Sequence, residues 1–332
     1  MPIEFASDLQ RASFHSPLED FAAVDVEVEV REDPLTGRQA RVVPESFVHP
    51  EEFDIEAVVG DSEGCFFCPG TVEEATPTYP DWVGEARGSV GEATSFPNLN
   101  PYGAHSNVVA LTADHYRPID GFGAEIFRDG LRAALEYVSA VRDHEDAPYA
   151  SVNMNFLRPA GSSIVHPHLQ TLVDDRGTNH HRTLLDASRD YHDEDGESYW
   201  ADLVDEERDG ERFVGETAGV TWLAPYAPRH HRHVVGVAEE TGVPGDEAEC
   251  VDGFAAGLAN VLAAYGAAGL NSFNFALYLA DDPAMPPVMD VVARSVFDAY
   301  YWSDSPFFTV LHDEGVVDVA PEEYATEARA QF

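Results

Sequence analysis

The sequence has no lysine: its 19 basic residues are all arginine, against 61 aspartate and glutamate residues, which gives a formal net charge of −42. This balance argues against the loose, charge-driven binding of nucleic acid that basic surfaces provide. The acidic residues are spread along the chain among ordinary core segments. That spread favours adaptation of the whole surface to molar salt, where screening acts over about 3 Å, over a local acidic interaction surface. The charge is therefore typical of a halophilic protein and says little about the substrate.

Cysteine is also scarce, with three residues in 332. Three cysteines do not make a disulfide framework, and in a cytosolic chain a C-x-x-C pair suggests a metal or redox site. Cys65 and Cys68 form such a pair. Cys250 stands alone in the acidic stretch PGDEAECVDG, near a predicted helix start, and we expect no role for it.

Long apolar runs are missing as well. No run is expected to reach the roughly 18–20 residues that a membrane span needs. The first residues, MPIEFASDLQ, do not show the basic and apolar regions of a signal peptide. We therefore expect a cytoplasmic protein without a membrane partner, long enough for one large domain or two ordinary ones.

The order of apolar and polar residues predicts a mixture of strands and helices. Alternating residues predict a β-hairpin over residues 25–45, with its turn in DPLTG, and strands in AHSNVVALT, YASVNMNFL and IVHPHLQTLV. Apolar residues at helical spacing predict a helix in FGAEIFRDGLRAALEYVSAVRDH. The acidic, weakly patterned residues 174–212 are expected to form a long connection.

The second part of the chain looks like a fainter copy of the first. VTWLAPYAPRHHRHVVGVAE resembles TSFPNLNPYGAHSNVVALTAD, and each is followed by a helix and two strands; the later set is ECVDGFAAGLANVLAAYGAAG, NSFNFALYLA and PPVMDVVARS. This repetition predicts a duplicated α+β unit. The copy has no H-x-H, and Met289, Asp290 and Val291 stand near the corresponding place.

The stretch GSSIVHPHLQTLV places His166, His168 and Gln170 at every second position. Alternate side chains of a strand share a face, so these three groups are predicted to lie together, while the apolar residues between them face a core. Pro167 has no N–H, which predicts that this strand lies at a sheet edge or is open there. The preceding AGSS offers small groups and hydroxyls suited to a loop around phosphate oxygens.

A metal site is the simplest use for the C-x-x-C pair. Zinc takes about four cysteine or histidine ligands, of which Cys65 and Cys68 supply two. His166 or His168 can complete the set, and His115, at the end of a predicted strand, is another candidate. The alternative is that these histidines pack in the core or lie exposed in a turn.

Together these motifs resemble those of the galactose-1-phosphate uridylyltransferases, members of the histidine-triad superfamily with two fused halves. The matching pieces run in the family's order over most of the chain: REDPLTGRQARVV, CFFCPG, SFPNLNPYGAHSNVVALTADHY, NMNFLRPAGSSIVHPHLQ and LHDEGVVDVAPEEYA. The resemblance implies an α+β fold in which duplicated histidine-triad-like halves form a mostly antiparallel sheet, a half-barrel with flanking helices. The implied first half, residues 1–205, holds the H-P-H-x-Q site and the zinc ligands, and residues 206–332 form a second, degenerate half.

The resemblance also implies roles for individual residues. The positions that match structural zinc ligands are Cys65, Cys68, His115 and His166. His168 matches the nucleophile, and Gln170 matches a glutamine that hydrogen-bonds the phosphoryl group. The positions that match nucleotide- and phosphate-binding segments are Asn98, Asn100, Asn155, Ser162 and Ser163.

The implied reaction exchanges UMP between UDP-glucose and galactose 1-phosphate, or a related hexose 1-phosphate. It runs through a covalent nucleotidyl-histidine in a ping-pong mechanism, for which a neutral imidazole with a pKa of about 6.5 is a suitable nucleophile. The resemblance implies Zn²⁺ as cofactor, UDP-glucose or UDP-galactose and a hexose 1-phosphate as partners, and a homodimer. The alternatives are a phosphorylase or hydrolase, whose acceptor is phosphate or water, and a non-catalytic nucleotide- or metal-binding protein.

Positive charge for the phosphates has to come from arginine. The candidates are Arg31, Arg38, Arg41, Arg158 and Arg294. Arg158 is the most informative, because it opens the loop into the H-P-H strand. Ion pairs with the many acidic residues are the alternative use.

Two features depart from the family pattern. Leu169 stands where a glycine or small residue is common, and we expect it to point away from the site. The family's second metal site takes histidines from the late strands, but PPVMDVVARS offers none, so that site is expected to be absent. The sequence leaves open the roles of two histidine clusters, His180 with His181, and His230 with His231 and His233.

Overall fold

The computed structural model describes residues 3–43, 54–297 and 303–332, so residues 44 and 45 of the predicted hairpin lie outside the described residues. The strands in these ranges are β1 (Ser7–Ser16), β2 (Ala22–Glu32), β3 (Gln39–Val42), β4 (Gly88–Val90), β5 (Ala93–Pro97), β6 (His105–Ala110), β7 (Tyr149–Phe156), β8 (His168–Asp174), β9 (Phe213–Thr217), β10 (Val220–Leu223), β11 (Val234–Ala238), β12 (Phe273–Ala280), β13 (Val288–Ala293) and β14 (Gly315–Val317). The helices are α1 (Glu56–Val59), α2 (Val72–Ala75), α3 (Ala124–His144), α4 (Asn179–Asp195), α5 (Tyr199–Glu207), α6 (Glu249–Ala267), α7 (Phe307–Leu311) and α8 (Pro321–Arg329).

The larger sheet shows the duplication directly. Its ten strands follow the order β4-β5-β6-β8-β7-β12-β13-β11-β10-β9, and every neighbouring pair is antiparallel. β7 and β12 meet at the centre, with β8 and β6 on one side and β13 and β11 on the other. Each side also contributes one long helix, α3 or α6, between its strands. This arrangement confirms the predicted α+β fold built from two related units.

A smaller sheet combines three strands from the beginning of the chain with one strand from near its end. Its order is β1-β2-β3-β14, with β14 parallel to β3. β2 and β3 form the predicted hairpin. β1 was not predicted, because its sequence SDLQRASFHS has nine exposed residues out of ten and no buried face to produce an apolar pattern. Backbone pairing with β2 along its whole length holds it in place.

The long helices α3 and α6 pack against each other and against one face of the larger sheet. Glycines permit the close approach: a Cβ at Gly130 of α3 would lie 2.2 Å from Leu111 Cδ2, and one at Gly257 of α6 would lie 2.0 Å from Trp222 Cε2. Gly130 also faces Leu169, which is fully buried in this core as expected. The helix therefore supports the strand that carries His168 and Gln170 from behind.

Helix α6 corrects one expectation. It is long and apolar enough, by length and composition, to cross a membrane, although the sequence was expected to contain no such segment. More than half of its apolar window, 56%, is buried inside the protein, where it packs on α3 and the sheet. Its apolar residues are those of a core helix.

The expected long connection over residues 174–212 is wrong in its structure. Most of it is helical, in α4 and α5. The Thr178 hydroxyl caps α4 by accepting a hydrogen bond from the His181 N–H. Leu184, Leu185 and Trp200 are buried in a second apolar cluster against the larger sheet. Such a narrow apolar face, set among many charges, gives only a weak helical pattern in the sequence.

The edge position predicted from Pro167 is also wrong. β8 is an interior strand that pairs with β6 on one side and β7 on the other. It begins at His168, so Pro167 stands just before the ladder and its missing N–H costs no pairing. The Pro167 carbonyl still accepts a hydrogen bond from the Leu111 N–H at 3.0 Å. The proline therefore marks the start of the strand.

Candidate active site and metal centre

Four of the predicted residues come together at one end of β6 and β8. One ligand atom from each of Cys65, Cys68, His115 and His166 lies within 4.8 Å of all the others. Cys68 Sγ is 3.5 Å from His115 Nδ1 and 3.6 Å from His166 Nδ1, and Cys65 Sγ is 3.8 Å from His166 Nδ1. Tetrahedral zinc with ordinary bond lengths places sulfur and nitrogen ligands about 3.6 Å apart. The four side chains therefore fit a Cys₂His₂ metal site.

Neighbouring strands and a braced loop create this cluster. His115 follows β6 and His166 precedes β8, and the two strands are antiparallel neighbours, so these ends adjoin. The cysteines lie in the loop between α1 and α2. The Thr71 hydroxyl lies 2.7 Å from the Cys65 carbonyl oxygen and 2.9 Å from that of Cys68, which ties the loop to its own backbone.

The ring of His166 is oriented for this role. Its Nε2–H donates to the Thr112 carbonyl at 2.8 Å, which leaves the Nδ1 lone pair directed at the sulfurs. Burial, and next the neighbouring His115, lowers the pKa of His166 to about 4, so the ring is neutral at pH 7. Burial, and next the hydrogen bond with Cys65, raises the pKa of the Cys68 thiol to about 11. A bound cation would offset that cost and hold the sulfur as a thiolate.

His168 is oriented in the complementary way. Its Nδ1–H donates to the carbonyl of His166 at 2.8 Å, so the lone pair lies on Nε2. Burial lowers the pKa of His168, which keeps the ring neutral at pH 7. The backbone of one candidate metal ligand thus positions the ring of the candidate nucleophile two residues later, and it leaves the Nε2 lone pair without that hydrogen bond, as a nitrogen nucleophile requires.

Access to this ring is narrow. His168 is 8% exposed, and the ring of Phe67, from the CFFC loop, packs against it in an edge-to-face arrangement with ring centroids 5.3 Å apart. A cavity of about 390 Å³ opens one strand away, where Asn153 and Asn155 form part of its lining.

Asn155 is held by a network from the second half of the chain. Its Oδ1 accepts from Asn274 Nδ2 at 2.6 Å, so its own Nδ2 is the donor that remains for a ligand. Asn274 Oδ1 accepts from Arg294 Nη1 at 2.6 Å, and Asp304 pairs with Arg294 at 2.7 and 3.0 Å. Linked hydrogen bonds of this kind polarise one another. The sequence named Asn155 and Arg294, but nothing in it connected them.

The loop before His166 has a strained start. Leu157 is buried and has a φ of +66°, a backbone conformation that residues other than glycine rarely adopt. Backbone strain of this kind is common at functional sites. The Ser162 hydroxyl donates to the Ile164 carbonyl at 2.6 Å and so stabilises the loop. Ser163 is exposed, and so is Arg158, whose guanidinium lies over an aromatic ring at 5.8 Å.

Asn98 and Asn100 lie away from His168. The Asn98 N–H donates to Ser106, near the beginning of β6, whereas His168 pairs with the last residue of that strand. The Asn98 side chain accepts from the Asn100 N–H at 3.0 Å, a local turn contact. Their predicted nucleotide contacts stay predictions.

Most of the candidate arginines have carboxylate partners. Arg31, Arg41 and Arg294 form ion pairs at 2.9, 2.8 and 2.7 Å, which is the alternative use that the sequence left open. Arg38 differs: it donates to two backbone carbonyls and has no carboxylate partner within the part of the chain that the structure describes.

The two open histidine clusters divide into different environments. His180 and His233 both approach Asp290, with His233 Nε2 3.0 Å from Oδ1 and His180 Nε2 3.4 Å from Oδ2. His181 is fully buried between two tyrosine rings, and burial lowers its pKa to about 4. His231 lies 3.0 Å from the Asp318 carboxylate.

Several contributors could not be read from residue types alone. The Thr112 carbonyl acts through its backbone, and the Phe67 ring takes part through packing. Two others had a signal. Alternation in FNFALYLA places Asn274 on the polar face of β12, and aligning HPHLQ with PPVMD on their shared proline puts Asp290 at the position of Gln170.

Known proteins resemble this chain in sequence and in fold. No family model matches it. An uncharacterized protein of Archaeoglobus fulgidus is 35% identical over 304 residues, which are 91% of this chain and 92% of that protein.

Three solved structures share the fold at lower sequence identity. An ADP-glucose phosphorylase from Arabidopsis thaliana with bound ADP-glucose has 16% identity and a TM-score of 0.70, over 91% of this chain and 98% of that one. A GalT-like protein from Arabidopsis thaliana has 18% identity and a TM-score of 0.68, over 90% and 98%. A uridylyltransferase has 19% identity and a TM-score of 0.65, over 91% and 97%. The chain therefore belongs to the family of the Archaeoglobus fulgidus protein, and it shares the fold of the ADP-glucose phosphorylase, GalT-like and uridylyltransferase structures.

Proposed function

We propose that the protein is a nucleotidyltransferase that carries a nucleotide on His168. The observation that carries this proposal is the orientation of the ring: Nδ1–H is used by the His166 carbonyl, and Nε2 is left with its lone pair. In the first step Nε2 attacks the α-phosphorus of a nucleoside diphosphate sugar. A P–N bond forms, the bond to the bridging oxygen breaks, and the hexose 1-phosphate leaves with that electron pair.

The second step reverses the first with a new acceptor. A phosphate oxygen of the acceptor attacks the phosphorus, a P–O bond forms, and the P–N bond breaks to restore neutral His168. Little net driving force is needed, so positioning and charge stabilisation dominate. Gln170, on the same strand, is the proposed donor to a phosphoryl oxygen, and the Asn155 Nδ2 is a second one. Arg158, Ser162 and Ser163, and more remotely Asn98 and Asn100, keep their proposed substrate-binding roles.

The metal site has a structural part in this proposal. Cys65, Cys68, His115 and His166 would hold Zn²⁺, which supplies a fixed anchor for the start of β8. Because the His166 carbonyl accepts the hydrogen bond of His168, fixing His166 also fixes the candidate nucleophile.

Two acceptors are candidates. The motif resemblance favours exchange of UMP between UDP-glucose and galactose 1-phosphate or a related hexose 1-phosphate, in a homodimer. The fold likeness to a protein described as an ADP-glucose phosphorylase favours a second candidate, in which inorganic phosphate takes the nucleotide. The chemistry at His168 is the same in both.

The test is covalent labelling followed by a chase. The purified protein is incubated with UDP-glucose or ADP-glucose labelled at the α-phosphate, and protein-bound label is measured. We expect about one label per chain in the wild type and in the control His192→Gln, which alters an exposed histidine on α4, and none in His168→Gly. A label that persists in His168→Gly overturns the assignment, and no label with either nucleotide sugar favours the non-catalytic alternative.

The chase separates the acceptors. Release of the label by galactose 1-phosphate or glucose 1-phosphate supports the transferase, release by inorganic phosphate supports the phosphorylase, and release by buffer alone supports a hydrolase.

A further inference from the structure

The strand β1 forms an open edge of the smaller sheet. It pairs with β2 on one side, and no strand in the described residues pairs with its other side. Nine of its ten residues are exposed, and its register with β2 runs from Ser7 to Ser16 without a bulge. Natural edge strands are usually protected by proline, lysine or a bulge, because an open edge allows another strand to pair with it. β1 contains none of these features.

The hydrogen-bond pattern shows which residues of β1 face the open edge. The Glu32 N–H donates to the Ala6 carbonyl at 3.0 Å, and these two residues continue the register of β1 with β2. Hydrogen-bonded pairs alternate along an antiparallel ladder, so the even-numbered residues of β1 direct their N–H and C=O groups to β2. The odd-numbered residues direct theirs to the open edge, and they include Leu9, Arg11, Ser13 and His15.

The charge of β1 differs from that of the whole protein. In a chain with a net charge of −42, this strand has one acidic residue, Asp8, and one arginine, Arg11. Copies of an acidic chain repel each other, so two copies approach most easily where carboxylates are few. One face of the β1–β2 pair is also uncharged over three successive cross-strand pairs, which are Gln10 with Val28, Ala12 with Val26, and Phe14 with Val24.

A two-fold axis restricts how two copies of β1 can pair. Antiparallel strands related by such an axis keep the same face of the sheet, so one residue has to lie opposite its own copy. A register centred on Arg11 places two arginines opposite each other, and like charges in that position are destabilising. A register centred on Ala12 places Arg11 opposite Ser13 of the second copy, and Leu9 opposite His15. No like charges then face each other, and the open N–H and C=O groups of the two strands meet.

The surface covered by this pairing has the size of a weak, specific interface. Ten residues extend about 34 Å at roughly 3.4 Å per residue. A strip about 4.8 Å wide on both faces and along the edge amounts to roughly 500 Å² per copy, or about 1,000 Å² in total. Val26, which is 40% exposed, and Ala12 would continue into the same two residues of the second copy, so the uncharged face extends across the contact.

We propose that β1 is a docking strand for a second copy of this chain, paired antiparallel about a two-fold axis at Ala12. The two smaller sheets then form one continuous sheet, with the two β1 strands at its centre. The pieces that resemble the uridylyltransferases begin at Arg31, so β1 lies outside that resemblance and the contact is not implied by it. Molar salt favours the contact, because it limits the repulsion between the two acidic copies to about 3 Å.

Sedimentation velocity in molar salt measures the association. Ser13→Pro removes an N–H that faces the open edge, so it blocks a second strand while the pairing with β2 is kept. Ser13→Ala is the matched control, because it loses the same side-chain hydrogen bond to Asp25 and keeps the N–H. We expect Ser13→Pro to weaken association of the full chain by about tenfold or more, and Ser13→Ala to leave it within about threefold.

Cysteine cross-linking tests the register by a second route, in variants that leave the backbone pairing intact. In an antiparallel pair without mutual hydrogen bonds, facing Cα atoms lie about 4.5 Å apart, a distance that a disulfide spans. Under mild oxidation, Ala12→Cys should therefore form a disulfide between copies, whereas Arg11→Cys and the wild type, whose three cysteines are buried or half-buried, should not.

The results that overturn the proposal are equally defined. Association of Ser13→Pro equal to that of the wild type contradicts docking through the edge. Cross-linking of Arg11→Cys to the same extent as Ala12→Cys, or of neither variant, contradicts the pairing about Ala12. A monomeric wild type in molar salt rules out a second copy as the occupant and leaves the edge to a strand of another protein.

Discussion

Removing the metal ligands should cost stability, and the cost should rise slowly, with the logarithm of the length of chain that the metal ties together. Cys65 and His166 are 101 positions apart, and their ligand atoms meet in the cluster. A cross-link that closes a loop of about 100 residues lowers the entropy of the unfolded chain by an amount worth roughly 4–5 kcal/mol. At about 2 °C per kcal/mol for a chain of this size, Cys68→Ala should lower the melting temperature by roughly 8–10 °C.

The assay combines calorimetry with metal analysis of protein prepared with Zn²⁺. The wild type should contain one zinc per chain and lose stability in a strong chelator, whereas Cys68→Ala should contain none and show no further loss. Cys250→Ser controls for the loss of a thiol, since Cys250 lies in α6 and outside the cluster. Wild-type protein without stoichiometric metal, and with the same melting temperature in chelator, would refute the reasoning.

Three further outcomes follow from the geometry. Burial lowers the pKa of His181 to about 4, so between pH 6.5 and pH 4 the unfolded chain binds a proton that the folded chain does not. The free energy of unfolding should therefore fall as the pH drops below 6.5, by roughly 3 kcal/mol at pH 4. Denaturant titrations of His181→Phe should show a free energy of unfolding that depends less on pH. Gly130→Ala forces a methyl group against Leu111 and should lower the free energy of unfolding by about 1–3 kcal/mol. An unchanged free energy of unfolding would contradict the close packing of α3 at this position. Asn274→Ala removes the hydrogen bond that orients the Asn155 amide, and it should slow labelling of the protein about tenfold, equivalent to about 1.4 kcal/mol. The same substitution should cause no further slowing in a protein that already carries Asn155→Ala.

The repeated architecture was readable because it rests on strong local patterns. The helix in residues 122–144 and the strands that flank it have clean apolar periods, and the structure has them as α3, β6 and β7. β1 and α4 were missed for the same reason, because each buries few side chains. β1 is held by backbone pairing with almost no buried side chains, and α4 buries a face too narrow to stand out among its charges. Periodicity reports burial, so elements with little burial leave little trace.

In the candidate site, too, some residues could be predicted from the sequence and others could not. The motifs CFFC and HPH contain three members of the metal cluster, Cys65, Cys68 and His166, because ligand chemistry allows few residue types; the fourth, His115, was one candidate among several until the family resemblance selected it. The orientation of His168 depends on a backbone carbonyl, and that of Asn155 on Asn274, a residue 119 positions away. Contacts made by the backbone, or by common polar residues far along the chain, have no signature in a single sequence.

The most direct test of the central claim is to locate the nucleotide on the protein. Wild-type protein is mixed with UDP-glucose or ADP-glucose, quenched under alkaline conditions, digested and analysed by mass spectrometry, with phosphorus NMR to identify the bond. We predict a single nucleotidyl group on the peptide that contains His168, attached through Nε2 and lost in acid. A nucleotide attached to His166 or to any other residue, or transfer to an acceptor with no modified protein at all, would contradict the account.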